Sequence, residues 1–159
     1  MCGIAGCFGK KDEELINRML DAMTHRGPND RGIFSDNNST LGHTRLSIVD
    51  VATGHQPIVT DDRSQAIVAN GEIYNFQDVK NSFSRKHKFH TVSDTEVVLH
   101  LFQEKGPAAI DNLDGMFAFA IKDRGSYLIA RDPIGIKPLY YGIYNGCFYF
   151  SSELCLTIF

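Results

Sequence analysis

A cysteine directly follows the initiator methionine, in Met1-Cys2-Gly3. Aminopeptidases remove methionine ahead of a small side chain, which would leave Cys2 at the N-terminus. It would then carry a thiol nucleophile. It would also carry a free α-amine, whose ordinary pKa of about 7.7–8.0 lies close to working pH. One residue could attack a carbonyl and accept the proton without help from a histidine. Taken alone, the tripeptide reads more simply as a buried cysteine opening a strand, because cysteine is among the most buried residue types.

A thiol that cleaves an amide needs N–H donors for the oxyanion of its tetrahedral intermediate. Asn70-Gly71-Glu72 follows the apolar run Ala66-Ile67-Val68-Ala69, so a strand end would hold it rigidly. Asn70 supplies an amide donor, and Gly71 a backbone N–H with no side chain in the way of a ligand. On physics alone, a plain Asn-Gly turn is the better reading. An amino-acid substrate also needs a cation and an anion. Arg45 lies in the apolar stretch Arg45-Leu46-Ser47-Ile48-Val49-Asp50, and its planar fork suits a carboxylate. Asp94 and Glu72 are the candidate anions. Asp94 is also explained as an acid at a helix start, and Arg45 as a salt-bridged arginine.

These residues must be positioned by regular elements. Gly3 to Phe8 predicts a buried strand. Leu15, Ile16, Met19, Leu20 and Met23 recur at helical spacing, which predicts an amphipathic helix over Asp12 to His25, broken by Arg26-Gly27-Pro28-Asn29-Asp30. Strands are expected near Gly32–Ser35, Thr40–Arg45 and Gln65–Asn70. Phe76, Val79 and Phe83 predict a second helix. A third spans Ser93 to Lys105, with Ser93 and Glu96 as a capping box and Gly106-Pro107 as its stop. Met116–Lys122 and Tyr127–Arg131 flank a turn, and Leu139–Tyr144 and Cys147–Ser151 flank Asn145-Gly146, a hairpin signal. Strands at both ends with helices between predict sheets packed together under helices. The strand order does not follow from pattern.

The 159 residues suit one domain, and 43% hydrophobic content fits a globular core. A net charge of −3 gives no reason to expect nucleic acid or an anionic membrane as a partner. No apolar run approaches the roughly 18 residues of a membrane span. Lys10, Lys11, Asp12, Glu13 and Glu14 interrupt any signal peptide, so the expected compartment is the cytoplasm. Cys2, Cys7, Cys147 and Cys155 match neither a zinc pattern nor a disulfide framework; the last three are expected to be buried thiols. His25, His43, His55 and His100 have no metal-ligand spacing, so no metal is assigned. Arg85-Lys86-His87-Lys88-Phe89-His90 is expected to be a solvated loop.

Together the motifs resemble one family. Met1-Cys2-Gly3-Ile4-Ala5-Gly6, His25-Arg26-Gly27-Pro28 and Arg45-Leu46-Ser47-Ile48-Val49-Asp50 are followed by Asn70-Gly71-Glu72-Ile73-Tyr74-Asn75 and Ser93-Asp94-Thr95-Glu96. Then come Leu113-Asp114-Gly115-Met116-Phe117-Ala118-Phe119-Ala120 and Arg131-Asp132-Pro133-Ile134-Gly135-Ile136-Lys137-Pro138-Leu139-Tyr140-Tyr141. In this order they resemble the class II glutamine amidotransferases, which are N-terminal-nucleophile hydrolases, and within them the N-terminal domain of glutamine-dependent asparagine synthetases. The resemblance implies an α+β, four-layer αββα sandwich over residues 1–159. It implies that Cys2 forms a thioester with the side chain of L-glutamine and that its α-amine relays the proton to ammonia. It further implies that Asn70 and the Gly71 N–H form the oxyanion hole. Arg45 would hold the substrate carboxylate and Glu72 and Asp94 its ammonium. The backbone of Leu46, Ser47, Ile48 and Val49 would line the pocket.

Such synthetases continue into an ATP-pyrophosphatase-type domain with a Ser-Gly-Gly phosphate loop, which this sequence lacks. ATP and magnesium are therefore expected only on a separate synthetase domain or subunit, with no cofactor on this domain. The apolar ending Leu154 to Phe159 and the placement of Asn29 before Asp30 also depart from the usual pattern. The ending is compatible with a truncated gene, a fragment or a stand-alone subunit. The region Arg131 to Tyr141, with the apolar tail, is the expected docking face for the synthetase. Alternatives are the glutaminase part of an amidophosphoribosyltransferase or sugar-phosphate aminotransferase, and a truncated, non-catalytic subunit that binds a synthetase. Asn70-Gly71-Glu72-Ile73-Tyr74-Asn75 favours the asparagine synthetase branch.

Overall fold

The structure, a computed structural model, describes residues 1–46 and 54–154. Strand β1 (Gly3–Phe8) is buried along its whole length, because both of its faces are covered. Ile4 and Phe8 point one way, into a core shared with Leu41, Val68 and Phe150. Ala5 and Cys7 point the other way, against Leu15, Ile16, Met19 and Leu20. Those four are the buried stripe of helix α1 (Glu13–Ala22), whose N-cap Asp12 accepts from the Leu15 N–H. The helix ends three residues earlier than its apolar periodicity predicts. Met23 to Arg26 form a turn, although Met23 stays buried. A close approach of α1 to the sheet requires Gly42, where a Cβ would lie 2.7 Å from Ile16 and 2.8 Å from Leu20.

β1 is central in a five-stranded sheet, antiparallel in every pair, of order β2-β3-β1-β9-β8. Here β2 is Asp30–Ser35, β3 Ser39–Arg45, β8 Tyr140–Tyr144 and β9 Cys147–Ser151. The second sheet is four-stranded, β4-β5-β6-β7, formed by Ile58–Val59, Gln65–Ile73, Gly115–Asp123 and Ser126–Arg131. Alternation along β5 and β6 sorts their residues between two cores. Ala66, Val68, Ala118 and Ala120 face the first sheet. Ile67, Ile73, Phe117, Phe119 and Ile121 face the helices α2 (Phe76–Asn81) and α3 (Asp94–Lys105), packing on Val79, Val97, Val98 and Leu101. The layers therefore run α1, sheet, sheet, α2 with α3: the αββα sandwich.

The two predicted hairpins form. Arg124 (φ 48°) and Gly125 close β6 to β7, and Asn145 (φ 49°) with Gly146 (φ 74°) closes β8 to β9. Other expectations need correction. Gly106 ends α3, but the chain then continues in a 3-10 turn from Gly106 to Asn112. The two-residue strand β4 leaves too short a pattern to read. The loop from Arg85 to His90 is anchored rather than simply solvated: the His87 side chain is 5% exposed and lies 2.9 Å from Glu104, with its ring against Phe83 and His100. Cys7 is buried as expected, Cys147 is half-buried, and Cys155 lies outside the described residues.

Candidate active site

Strand alternation places the candidate chemistry. Cys2 precedes Ile4 by two residues, so it shares the face of β1 that looks into the gap between the sheets. Register pairs Ile4 with His43, so His43 and Arg45 share that face of β3. On β5, Asn70 follows Ala66 and Val68 on the facing surface. The strand ends meet at one mouth of the sandwich, around a cavity of about 390 Å³ lined by Cys2, Arg45, Leu46, Asn70, Gly71, Glu72 and Asp94. Every described candidate borders this one cavity. Ser47, Ile48 and Val49 lie outside the described residues.

Cys2 is half-buried, with its Sγ 3.9 Å from the Leu46 carbonyl oxygen. Its own carbonyl accepts from Arg26 Nε at 3.0 Å, and Arg26 is held in turn by Glu153 at 3.1 Å. The His-Arg-Gly-Pro segment therefore clamps the start of β1. It also clamps the end of β3: a Cβ on Gly27 would lie 2.4 Å from Arg45 N, Pro28 bridges to Arg45, and the Asn29 N–H donates to the Arg45 carbonyl at 3.0 Å. Arg26 was not foreseen as a site residue. Its signal was present in a motif whose role only the fold reveals.

Asn70 and Gly71 form neither a turn nor a strand end. They lie inside β5, paired with Ala118 and Phe117, and the strand runs three residues further than its apolar run predicts. Packing also requires Gly71 to be small. Its missing side chain faces β6, where a Cβ would lie 2.3 Å from the Met116 carbonyl oxygen. Asn70 is 2% exposed, and its Nδ2 has no hydrogen-bond partner among the described residues. Leaving a buried donor unpaired costs roughly 1–3 kcal/mol, so such a group is a strong sign of a ligand position.

Glu72 is exposed at the rim. Asp94 is fixed at the start of α3: Oδ2 accepts from the Ile73 N–H at 2.7 Å and Oδ1 from the Thr95 N–H at 2.8 Å. Asp94 is thus both a helix-start acid and a cavity wall. The capping box is only half made. Ser93 accepts from Thr95 N–H, but Glu96 turns away and accepts from the N–H groups of His90 and Thr91 at 2.8 and 2.7 Å. Burial pushes the Glu96 carboxyl up. It is outweighed by the nearby His100 ring, whose Nε2 lies 3.7 Å away, and by hydrogen bonds from the Thr91 hydroxyl and those N–H groups, which leave it at about 2. A depressed carboxyl contributes stability above its unfolded value and loses it as pH falls through the folded one. Glu96→Gln should therefore lower the unfolding free energy measured in urea at pH 7 by on the order of 2 kcal/mol. The gap between variant and parent should close between about pH 5 and pH 2. A gap independent of pH would show that the charge is not what holds this segment.

His43, Gln56 and Lys137 also line the cavity and were not anticipated there. Burial dominates at His43 and lowers it to about 3, so the ring is neutral at working pH. Gln56 is buried, and its Oε1 accepts from the Ala69 N–H at 2.6 Å. His43 could have been found from its spacing of two from Arg45 on an alternating strand; Gln56 and Lys137 had no such signal. No cluster able to hold a metal ion occurs among the described residues.

Comparison with known proteins agrees with this geometry. A profile of the glutamine amidotransferase domain matches residues 1–157. Over 162 aligned residues the chain is 45% identical to asparagine synthetase B (glutamine-hydrolysing) of Escherichia coli, covering 97% of this chain and 29% of that protein. It is 43% identical to asparagine synthetase 2 (glutamine-hydrolysing) of Oryza sativa, covering 97% of this chain and 27% of that one. The chain thus spans under a third of the length of these relatives. Glutamine phosphoribosylpyrophosphate amidotransferase from Bacillus subtilis shares the fold, with a TM-score of 0.83 at 23% identity over 98% of this chain and 42% of the other. With a domain match over nearly its whole length and a cavity that gathers the expected side chains, the chain belongs to the glutamine amidotransferase family.

Proposed function

We propose that this domain hydrolyses L-glutamine to glutamate and ammonia. The Cys2 thiol attacks the side-chain amide carbon, and its proton passes to the Cys2 α-amine. Collapse of the tetrahedral intermediate breaks the C–N bond, the amine delivers the proton to departing ammonia, and a γ-glutamyl thioester remains. Water then adds to the thioester, releasing glutamate and returning the thiol. The observation that carries this reading is the buried Nδ2 of Asn70, unpartnered among the described residues, beside the cavity that Cys2 lines. With the Gly71 N–H it forms the oxyanion hole, a donor set in place before the charge develops. Arg45 binds the substrate carboxylate, Asp94 and Glu72 bind its ammonium, and the Leu46 backbone completes the pocket with Ser47, Ile48 and Val49.

Arg45→Ala and Asp94→Ala should each raise KM for glutamine roughly thirtyfold or more, equivalent to about 2 kcal/mol of binding, because a substrate charge would be left unpaired in a partly dry pocket. Asparagine should be a poor substrate, since its shorter side chain cannot reach Cys2 while both charges are held. Steady-state glutaminase kinetics check both points. Parent-like KM values in the two variants would place glutamine elsewhere.

The ammonia is destined for ATP-dependent amidation of aspartate on a synthetase domain or subunit, where ATP and magnesium would bind. The sequence relatives, named as glutamine-hydrolysing asparagine synthetases and more than three times as long, support that branch. The surface supports a docked neighbour: Ile134, Tyr141 and Ile143 are 85%, 74% and 76% exposed, along β8 at the sheet edge and the loop before it. Exposed apolar residues on a free strand edge are a liability unless covered.

A further inference from the structure

The cavity holds a cation that the reaction as described does not use. Lys137 is 7% exposed and lines the cavity beside Met1 and Cys2. Its backbone is locked from two sides. Arg131 Nε donates to the Lys137 carbonyl at 2.7 Å, and Asp132 accepts from the Ile136 and Lys137 N–H groups at 2.8 and 3.0 Å. Gly135, with φ 74°, makes the turn that lets Arg131 reach across. The nearby carboxylate of Asp132 is therefore engaged with backbone. Among the described residues, the Lys137 Nζ has no carboxylate in ion-pair reach, and its hydrogen-bonding contact is the Met1 Sδ at 3.8 Å. A thioether is a weak acceptor, and a buried ammonium without an anion is costly. The side chain is thus held, at a cost, against the one residue whose removal exposes the Cys2 α-amine.

We propose that Lys137 is a positioning residue that keeps the α-amine of N-terminal Cys2 unprotonated and so ready to accept the thiol proton. The effect is electrostatic: a fixed cation disfavours a second ammonium beside it and leaves a neutral amine untouched. The proposal rests on Cys2 being the nucleophile. Other charges lie nearby: Arg45, Asp94 and Glu72 line the cavity, and Arg26 binds the Cys2 carbonyl. Arg45 and Arg26 act in the same sense as Lys137, while Asp94 and Glu72 oppose it. Asp94 is spent on two N–H groups, Glu72 is exposed at the rim, and Glu153 is held by Arg26 and His25.

The test is the pH profile of kcat/KM for glutamine in Met1-free parent, Lys137→Met and Lys137→Arg, with acylation of the N-terminal amine by an activated ester followed by mass in parallel. In Lys137→Met the acid limb should move up by about one pH unit, the order expected when a neighbouring cation is removed from a partly wet site. The variant should run roughly tenfold slower below the limb and near parent above it. Amine acylation should shift to higher pH by the same amount, and Lys137→Arg should restore both profiles. An unmoved acylation profile in Lys137→Met overturns the proposal, whether its glutaminase rate is unchanged or uniformly depressed. Neither result would touch the nucleophile, because full activity in Cys2→Ala is the outcome that removes it.

Discussion

Changing Cys2 to alanine is expected to cut glutamine hydrolysis by roughly a thousandfold or more while the domain stays folded. The size follows from losing the atom that forms the thioester, since no other group then supplies the covalent path. Cys7 cannot substitute, because it points from the opposite face of β1 into the α1 core. Stability should change by less than about 1 kcal/mol. The Cys2 side chain is half-buried, and the contact that fixes the residue, from Arg26, goes to its carbonyl. Cys2→Ser should also be severely impaired, because a hydroxyl is much less acidic than a thiol. Glutamate release and a urea melt measure the two quantities. Parent-level activity in Cys2→Ala would end the assignment.

Asn70→Ala is expected to lower kcat by roughly 10²–10³-fold, the cost of removing one oxyanion donor. KM should change much less, because the donor acts most strongly once negative charge has formed. Stability should move the other way. The Asn70 Nδ2 has no partner among the described residues, so removing it breaks no hydrogen bond and relieves a buried orphan. A variant that is catalytically crippled yet as stable as the parent, or more so, is the signature of a group kept for chemistry. A kcat within about threefold of the parent would remove Asn70 from the oxyanion site.

Two Asn-Gly pairs show where the sequence was legible and where it was not. Asn145-Gly146 lies between two strands with nothing else to pair with, so local preference decides and both residues take positive φ. Asn70-Gly71 has the same preference, but β6 pairs with both residues and holds them extended. Tertiary pairing overrides local propensity there. Strand and helix periodicity placed most elements, and the face shared by Cys2, His43 and Arg45 follows from alternation once the strands are paired. The pairing itself, hence the strand order, depends on contacts between distant segments. For the same reason Lys137 could not be placed against Met1 from sequence, nor Arg26 against Cys2. Glu96 matched the capping box at its spacing of three from Ser93, yet the nearby loop offered it two N–H donors and took it instead.

If Cys2 serves as both nucleophile and base, activity depends on a free N-terminus at that residue. Protein retaining Met1 and protein beginning at Cys2 can be separated, weighed by intact mass and assayed for glutamate release. A retained Met1 ties the nitrogen of Cys2 into a peptide bond, which cannot accept a proton at working pH, and places a side chain in the cavity wall. All hydrolysis should therefore track the species beginning at Cys2, and the Met1 form should be inactive. Equal turnover by the Met1 form would show that the Cys2 α-amine is not the base.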